Sequence, residues 1–594
     1  MHSPFLLLLF LSLLSLAALP AAASDALPHL RISLTPILNT TSRLPFVTAL
    51  NVTLTFPPPR DPSSPLLALL LNSGATQTLQ YPSTALHASD AAGALPLTHA
   101  DETASANGNA QRYYRPAPGR RVAGDLVTVQ FVADPPGGLS RGNGPRIDLR
   151  REPGPLGGLV GMGEGFLPRP VPAAGREEWR VTVRWELGGQ GRPGPRPGCG
   201  QRVRAASSLG EGREVTATGV LASVVGRSYF AVGAGLKRWP SWEEEVAERD
   251  EVAMYWMGEL PWELGELGAR VERSTSAVKA FFGEADDPFR VFWRRGRGGY
   301  GGAGGYHSFL LEFAEHVEEE FSAEALQNLI SHESIHEYAL MNPVRQYDYW
   351  YREGVAVYYA VMAPFLAGAV DKGYFVRWMN NNAQAYYTGN TTDLDWQYVL
   401  DNYWTSTQLV KTSYFRGFIY LAQVQALIAH ATNGTKGLDD VVIELYQRYK
   451  ARETVQSEQF VDVLGGYIGK TAAETSFEEM KRGRLIVPSS DSLAQFGLKM
   501  VRRDVENLEL GFSESSFGRG VIVGLVPGSR AEQAGLRDGD EIVRFWVFST
   551  AGESLDNKMK VVVRRQGQEI PILYWPRSYD KVESYQWVDG DTVE

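Results

Sequence analysis

The chain has 594 residues, of which 44% are hydrophobic, so it is long enough to fill the cores of about two to four domains. Its 68 acidic side chains outnumber its 58 basic ones and give a net charge of -10, which argues against nucleic acid as a partner. The single cysteine, Cys199, excludes an internal disulfide framework and a zinc site built from several cysteines. A metal ion would have to be held by histidine and carboxylate side chains.

Residues 1–23 are typical of a secretory signal peptide. Residues 5–19 are almost wholly apolar, and Pro20 and a run of alanines follow them. About 15 apolar residues are few for a membrane span, and Ala21 and Ala23 match the A-x-A pattern that signal peptidase requires, which predicts cleavage near Ala23. The segment before the apolar run has no lysine or arginine, so an uncleaved signal anchor is the alternative.

Four Asn-x-Thr sequences agree with passage through a glycosylating pathway, and they lie at Asn39, Asn51, Asn390 and Asn433. No later segment is long and apolar enough to cross a bilayer. We therefore expect a secreted, extracellular, N-glycosylated protein that has no stable membrane span after signal cleavage.

Residues 24–235 form a β-rich block, because Pro and Gly separate runs in which apolar and polar residues alternate. In residues 50–56 the apolar side chains face one way and the sequon residue Asn51 faces the other. Residues 179–187 alternate in the same manner. We expect a β-sandwich-like domain, and we find no motif in it that carries chemistry.

Residues 236–485 have a helical hydrophobic period and few prolines, which favours a mainly helical domain and makes this block the catalytic candidate. A predicted strand at 289–293 precedes the glycine-rich segment 297–306. That segment lacks the Lys-Ser/Thr ending of a phosphate-binding loop. We expect it to be a flexible loop at the lip of a cleft.

Residues 490–594 return to short strands. The segment 520–542 contains a strand, a Pro-Gly turn, one helical turn and an Asp-Gly-Asp turn, and this order resembles PDZ domains of the protease-associated kind. The resemblance implies that the C-terminus of a peptide is held beside a groove, with Phe496, Gly497 and Leu498 at the carboxylate-binding loop. Structural packing against the catalytic block is the alternative, because the segment expected to form the groove helix is short.

His332, Glu333 and His336 form the pattern H-E-x-x-H within residues 322–341, a run without Pro or Gly that predicts a helix. Residues four apart share a helix face, so both imidazoles point the same way with the carboxylate beside them. Burial of these groups in an apolar stripe costs several kcal/mol, which a zinc ion bound by neutral imidazole nitrogens offsets. An accidental His-Glu pair on a wet helix face is the alternative.

A catalytic zinc ion takes three protein ligands and leaves a fourth position open for water. Glu353 is the candidate third ligand, because it opens a predicted helix whose following residues are almost entirely apolar. A carboxylate at the head of a buried helix needs a cation. A glutamate that interacts only with the helix dipole is the alternative.

These motifs make the chain similar to gluzincin metallopeptidases, which pair H-E-x-x-H with a downstream Glu-Gly and have a thermolysin-like catalytic domain. Among gluzincins it most resembles metallopeptidase family sixty-one, the glycyl aminopeptidase family. That family joins an N-terminal β domain, a helical catalytic domain and a C-terminal PDZ domain. The resemblance implies a multidomain α+β protein that holds one zinc ion per chain through His332, His336 and Glu353.

The resemblance also assigns the catalytic groups. Tyr414 opens a Tyr-Phe-Arg-Gly sequence similar to the family's Y-x-K-G motif, whose tyrosine hydrogen-bonds the oxyanion. Glu333 would take a proton from water and pass it to the leaving amine. The implied function is zinc-dependent hydrolysis of a peptide or protein substrate.

Two features depart from the family pattern. Only 16 residues separate His336 from Glu353, so the connecting segment is shortened. The segment 301–307 contains no acid where aminopeptidases of this group carry a glutamate that binds the substrate's free amine. The resemblance implies an aminopeptidase, whereas the missing acid leaves endopeptidase activity open. A catalytically weak or inactive, secreted, PDZ-bearing peptide-binding protein on a gluzincin scaffold is the alternative function.

Overall fold

The computed structural model describes residues 27–39, 46–103, 109–136, 145–152, 154, 157–172, 177–187, 203–242, 252–296, 300–314, 321–545, 554–555 and 557–590. The predicted signal peptide and Cys199 lie outside the described residues. Within these ranges, none of the helices combines the length and the apolar character needed to traverse a bilayer.

The described N-terminal part consists mainly of strands. They are β1 (His29–Asn39), β2 (Phe46–Phe56), β3 (Leu67–Leu70), β4 (Asn72–Ser73), β5 (Thr76–Gln77), β6 (His87–Asp90), β7 (Gly93–Ala94), β8 (Leu97–Thr103), β9 (Ala110–Pro116), β10 (Val127–Ala133), β11 (Arg150–Arg151), β12 (Gly158–Met162), β13 (Arg169–Pro170), β14 (Glu178–Trp185), β15 (Arg204–Ser207), β16 (Gly210–Glu211), β17 (Glu214–Val220) and β18 (Tyr229–Gly233).

These strands pair into a seven-stranded sheet (β17-β14-β1-β2-β10-β6-β7), a five-stranded sheet (β11-β12-β18-β15-β16) and a four-stranded sheet (β13-β3-β9-β8). One hydrophobic core takes side chains from all three sheets. The period-two alternation predicted these faces correctly, because in β2 the residues Val52, Leu54 and Phe56 are buried while Asn51 is exposed. The expectation of a β-rich N-terminal domain is confirmed.

A second, mixed sheet and a set of helices follow. The strands and helices are β19 (Leu236–Trp239), β20 (Val252–Met257), α1 (Leu264–Phe281), β21 (Phe289–Arg295), β22 (Tyr300–Gly305), β23 (Ser308–Phe313), α2 (Ala323–Ile335), α3 (Tyr349–Leu366), α4 (Lys372–Tyr387), α5 (Trp396–Asp401), α6 (Thr407–Ala431), α7 (Leu438–Lys450), α8 (Ser457–Ile468) and α9 (Lys470–Lys481).

The strand order in this sheet is β19-β20-β21-β23-β22, with β20, β21 and β23 parallel and β22 antiparallel at one edge. The largest hydrophobic core of the described residues lies among the helices that follow, chiefly α3, α4 and α6. Parallel strands need a crossover connection, and α1 supplies it between β20 and β21. The expectation of a mainly helical region after the β domain is confirmed.

The glycine-rich segment differs from its prediction. Residues 300–305 form the edge strand β22 rather than a flexible loop. A Cβ on Gly302 would lie 2.1 Å from the Phe309 ring, and one on Gly305 would lie 2.6 Å from the backbone oxygen of Arg227. Glycine is required here because neighbouring groups approach too closely for any side chain, and the strand is held by its pairing with β23.

The N-terminal β domain packs on the mixed sheet. Tyr229, Tyr255 and Phe292 share one hydrophobic cluster across this boundary. Beside the cluster, the buried Arg294 donates to Asp148 at 2.8 Å and to Glu312 at 2.8 Å. The buried ion pairs and the apolar contacts fix how the β domain sits over β22.

The C-terminal part contains β24 (Leu498–Arg502), β25 (Val505–Leu508), α10 (Ser515–Arg519), α11 (Arg530–Gln533), β26 (Glu541–Phe545), β27 (Met559–Arg565), β28 (Gln568–Tyr574), β29 (Arg577–Val582) and β30 (Tyr585–Asp589). The pairs are β24 with β30, β25 with β29, and the three-stranded sheet β26-β27-β28. A small core of its own includes Phe512, Ile522 and Val561.

The segment expected to hold a peptide carboxylate is filled by packing instead. Phe496 lies against Phe365 and Phe375, with ring centroids 5.3 and 5.5 Å away. Leu498 is buried in the helical core, and Asn380 exchanges two hydrogen bonds of 2.8 Å with the backbone of Trp587. The apolar side chains of this segment complete the core beside α4, which agrees with the alternative of structural packing against the catalytic block.

Candidate functional site

Helix α2 and the residue that directly follows it carry the first two predicted ligands. Its start is set by Ser322, whose side chain accepts a hydrogen bond from the Ala325 N–H at 3.1 Å. The helix ends at Ile335, one residue before His336, so the second histidine is not inside the helix as the sequence predicts. Its backbone still has right-handed helical angles, φ -62° and ψ -13°. The predicted common face is therefore kept, and the His332 and His336 ring centroids lie 4.9 Å apart.

The short connection to α3 is long enough to bring Glu353 to the histidines. The buried Asp348, just before α3, accepts hydrogen bonds from Arg345 at 2.8 and 2.9 Å and from the Ser457 hydroxyl at 2.6 Å. These bonds fix the start of α3, which begins at Tyr349 rather than at Glu353. Glu353 then lies more than one turn into the helix and faces α2.

The three predicted ligands meet at one point. Glu353 Oε2 is 3.5 Å from His332 Nε2 and 3.5 Å from His336 Nε2. One donor atom from each of these side chains lies within 4.8 Å of the others. In the described part of the chain, His332, His336 and Glu353 therefore form a cluster of potential metal ligands. Although burial alone raises the pKa of Glu353, the two imidazoles hold that pKa well below its usual range.

The donors fit a zinc ion. Glu353 Oε2, which faces both imidazoles, is buried and takes part in no hydrogen bond within the described residues. Two imidazole nitrogens and one carboxylate oxygen are the donor set of many catalytic zinc sites, which keep a further position for water. An unpartnered carboxylate oxygen between two imidazoles is stabilised when a cation lies among them.

Two glycines let α3 and α6 approach closely enough to share the site. A Cβ on Gly354 would lie 2.6 Å from the backbone carbon of Gly417, and one on Gly417 would lie 2.1 Å from the Trp350 carbonyl oxygen. Gly354 follows Glu353, and Gly417 is three residues beyond Tyr414. The close contact of the two helices therefore sets the distance between the third ligand and the tyrosine.

We expect Gly417→Ala to destabilise the helical region by about 2 kcal/mol, because the overpacking exceeds the gain in helix propensity. The change would also move Glu353 away from the imidazoles and weaken metal binding. Calorimetric unfolding with and without zinc measures both effects. Gly466→Ala is the matched control, since a Cβ there meets nothing within 4 Å, and it should be neutral or stabilising. Equal Tm values for the two variants would contradict the close-contact argument.

Tyr414 lies over the cluster. Its ring is stacked on the His332 ring at 5.6 Å with an interplanar angle of 4°, and its hydroxyl interacts with the Glu353 carboxylate. Burial, with the nearby Glu353 and Tyr403, raises the pKa of Tyr414 well above its usual range. The hydroxyl is therefore protonated and able to donate a hydrogen bond. The Lys411 ammonium lies 4.6 Å from the centre of the ring.

Glu333 stands between the cluster and the edge strand. Burial raises its pKa to about 7, against the lowering effect of His332. Its Oε2 atom lies 3.9 Å from the position that a Cβ on Gly304 of β22 would occupy. A carboxylate of this pKa is suited to accept and return a proton near neutral pH.

The structure adds groups that the sequence did not reveal. His307, at the turn between β22 and β23, has Nδ1 3.6 Å from Glu337 Oε2. Arg227, from the N-terminal domain, donates a hydrogen bond of 3.0 Å to the Gly304 carbonyl. No sequence motif marks either contact, because the partners lie far apart along the chain. We found no motif with chemistry in the sequence of the N-terminal block, and the structure places Arg227 of that block beside Gly304.

Sequence comparison finds no matching model of a protein family and no matching curated protein. The fold, in contrast, is shared with solved structures. A protein of the aminopeptidase N family from Idiomarina loihiensis aligns with a TM-score of 0.57 at 13% identity, over 95% of this chain and 98% of the other. The chain therefore has the multidomain fold of that protein.

Two further structures are less similar. The M1 zinc metallopeptidase from Deinococcus radiodurans aligns with a TM-score of 0.42 at 16% identity, over 78% of this chain and 95% of the other. Leukotriene A4 hydrolase from Saccharomyces cerevisiae aligns with a TM-score of 0.44 at 12% identity, over 77% of this chain and 67% of the other.

Proposed function

We propose that the chain is a zinc-dependent peptidase. The observation that carries this proposal is the meeting of His332, His336 and Glu353, with Glu333 and Tyr414 beside them. A purely structural metal site has no need of a carboxylate and a tyrosine hydroxyl beside its ligands. The fold shared with a protein of the aminopeptidase N family supports the same class of enzyme.

In this proposal His332, His336 and Glu353 hold the metal. When bound, a zinc ion supplies Lewis acidity and lowers the pKa of a coordinated water molecule. Glu333 accepts the proton of the attacking water and later gives it to the leaving amine. The Tyr414 hydroxyl donates a hydrogen bond to the oxygen that becomes negative in the transition state.

The edge strand β22 is the proposed support for the substrate backbone, through the backbone groups that Arg227 and Tyr229 do not already occupy. An extended peptide can pair with an exposed strand edge, and this edge passes the Glu333 carboxylate. Backbone pairing orients the scissile bond without selecting a side chain. Gly304 of β22 leaves room for the substrate next to the proposed general base, because a Cβ there would meet nothing closer than 3.8 Å.

The other sequence-based expectations stay proposals. We propose the domain boundaries 24–235, 236–485 and 490–594, cleavage of residues 1–23 as a signal peptide, and secretion. Exposure of the side chains of Asn51, Asn390 and Asn433 supports N-glycosylation. We also propose a PDZ-like peptide-binding role for the C-terminal part. The Phe496 side chain itself is not available to a peptide, because it packs against Phe365 and Phe375.

We expect the purified chain to hold one zinc ion and to cleave a mixed peptide library, with loss of cleavage on chelation and recovery when zinc is added. N-acetylated peptides should be cleaved about as well as free ones, because residues 301–307 offer no carboxylate for an ammonium. Loss of cleavage on acetylation would identify an aminopeptidase instead. Bound zinc without any cleavage would favour the catalytically inactive peptide-binding protein.

A further inference from the structure

The N-terminal β domain places a cation at the proposed catalytic cleft. Arg227 stands just before β18, and its backbone is held on both sides. Its N–H donates to the Ser223 carbonyl at 3.1 Å, and its carbonyl accepts from the Tyr306 N–H at 2.8 Å. The main chain of Arg227 is therefore fixed against the hairpin that contains β22.

The guanidinium is held in place but not neutralised. Its Nη2 donates to the Gly304 carbonyl at 3.0 Å, and the residue is exposed. Among the residues that the structure describes, no carboxylate forms an ion pair with Arg227. Glu164 and Glu337 lie within its electrostatic range only. An arginine has five N–H donors, so most of them are left for a ligand.

Arg227 and Glu333 border the same small space. A Cβ on Gly304 would lie 3.8 Å from Arg227 Nη2 and 3.9 Å from Glu333 Oε2. Because Gly304 has no side chain, nothing from that residue separates the guanidinium from the proposed general base. A group bound by Arg227 thus lies within one or two residues of the bond that Glu333 helps to cleave.

We infer that Arg227 binds a substrate carboxylate, so that the cleft prefers peptides with an acidic residue next to the scissile bond. This inference rests on the proposed function. The planar guanidinium matches a carboxylate through paired hydrogen bonds. At the same position a free N-terminal ammonium meets the like charge of the guanidinium.

The test uses the full chain with zinc and pairs of peptides that differ only in Asp against Asn, or Glu against Gln, beside the mapped cleavage site. Both ends of these peptides are blocked, so the side chain carries the single carboxylate. A second pair of peptides compares a free with an amidated C-terminus and tests whether Arg227 binds the terminal carboxylate instead. We expect kcat/KM to favour the acidic side-chain peptide about tenfold, the size of one charge-assisted hydrogen bond. Salt should reduce this preference.

Arg227→Gln should bring the ratio of kcat/KM for the acidic peptide to kcat/KM for the amide peptide close to one. Arg227→Lys should retain part of the preference for the acidic peptide. Arg213→Gln is the matched control, because this arginine of the same domain is 72% exposed and should leave the preference unchanged. Cleavage with no preference for the acidic peptide, or a preference that survives Arg227→Gln, overturns the inference while the peptidase proposal stands.

A binding experiment tests the Arg227 inference even if the proposed peptidase activity is absent. Fluorescence anisotropy of the same labelled peptides with the Glu333→Gln chain reports affinity without turnover. A tighter Kd for the acidic peptide that is lost in the Glu333→Gln/Arg227→Gln double variant supports the inference even if the wild-type chain cleaves nothing. Equal Kd values for the acidic and amide peptides overturn it.

Discussion

Glu333→Gln should lower kcat by about 10²- to 10⁴-fold, the range expected when a positioned general base is removed. The substitution keeps the shape of the side chain but replaces the proton acceptor with an amide. Glu333 is not one of the three groups that meet at the proposed metal site. Zinc content should therefore stay the same while turnover falls, and KM should change little.

Glu324→Gln is the control for this prediction, because it makes the same chemical change in the first turn of the same helix. Zinc content by mass spectrometry and steady-state rates on one peptide give both quantities. A Glu333→Gln chain that turns over as fast as the wild-type chain would remove Glu333 from the mechanism. A variant that loses zinc would show that Glu333 acts on the metal instead.

Glu353→Gln should abolish stable zinc binding. Glu353 Oε2 lies 3.5 Å from each imidazole nitrogen, so a neutral amide at this position removes the negative ligand from the centre of the cluster. Two imidazoles alone hold zinc more weakly than the full set of three ligands. We expect the affinity to fall by at least about 100-fold, which also removes at least about 2.3 kcal/mol of metal-linked stability at a zinc concentration 100 times the wild-type Kd.

Zinc titration followed by Tm shows the loss directly, because the wild-type Tm should rise with zinc and the variant Tm should not. Glu474→Gln in α9 is the control, since its carboxylate is exposed and lies 3.8 Å from Lys470. If the Glu353→Gln chain kept its zinc and its zinc-dependent Tm, another residue would have to be the third ligand, and the shortened spacing after His336 would be the reason to look for it.

Local patterns predicted local structure well. The strand faces in residues 50–56 followed from alternation, because successive side chains of a strand point to opposite faces of the sheet and one face of β2 is buried. The position of α2 followed from a run without Pro or Gly, and the structure shows Ser322 as its capping residue. Only the end of that helix was misplaced, since helix termini depend on what the next residues contact.

The glycine-rich segment shows where local patterns fail. Glycine has a weak preference for strands, so the sequence favours a loop. Here contacts with residues outside the segment decide the structure. Phe309 in the neighbouring strand fills the space of a side chain at Gly302, and the backbone of Arg227 fills that space at Gly305. The same residues that make the segment look flexible are those that allow it to be an edge strand.

The sequence by itself determined the donor types, the pairing of His332 and His336 on one face, and the carboxylate between them, because spacing within a helical turn is fixed by covalent geometry and the helical period. Only the tertiary structure decided that Glu353 reaches those imidazoles and that Arg227 lies 3.0 Å from Gly304, 77 residues further along the chain. Such approaches depend on how whole helices and domains pack, and packing sums many weak contacts that no short motif encodes.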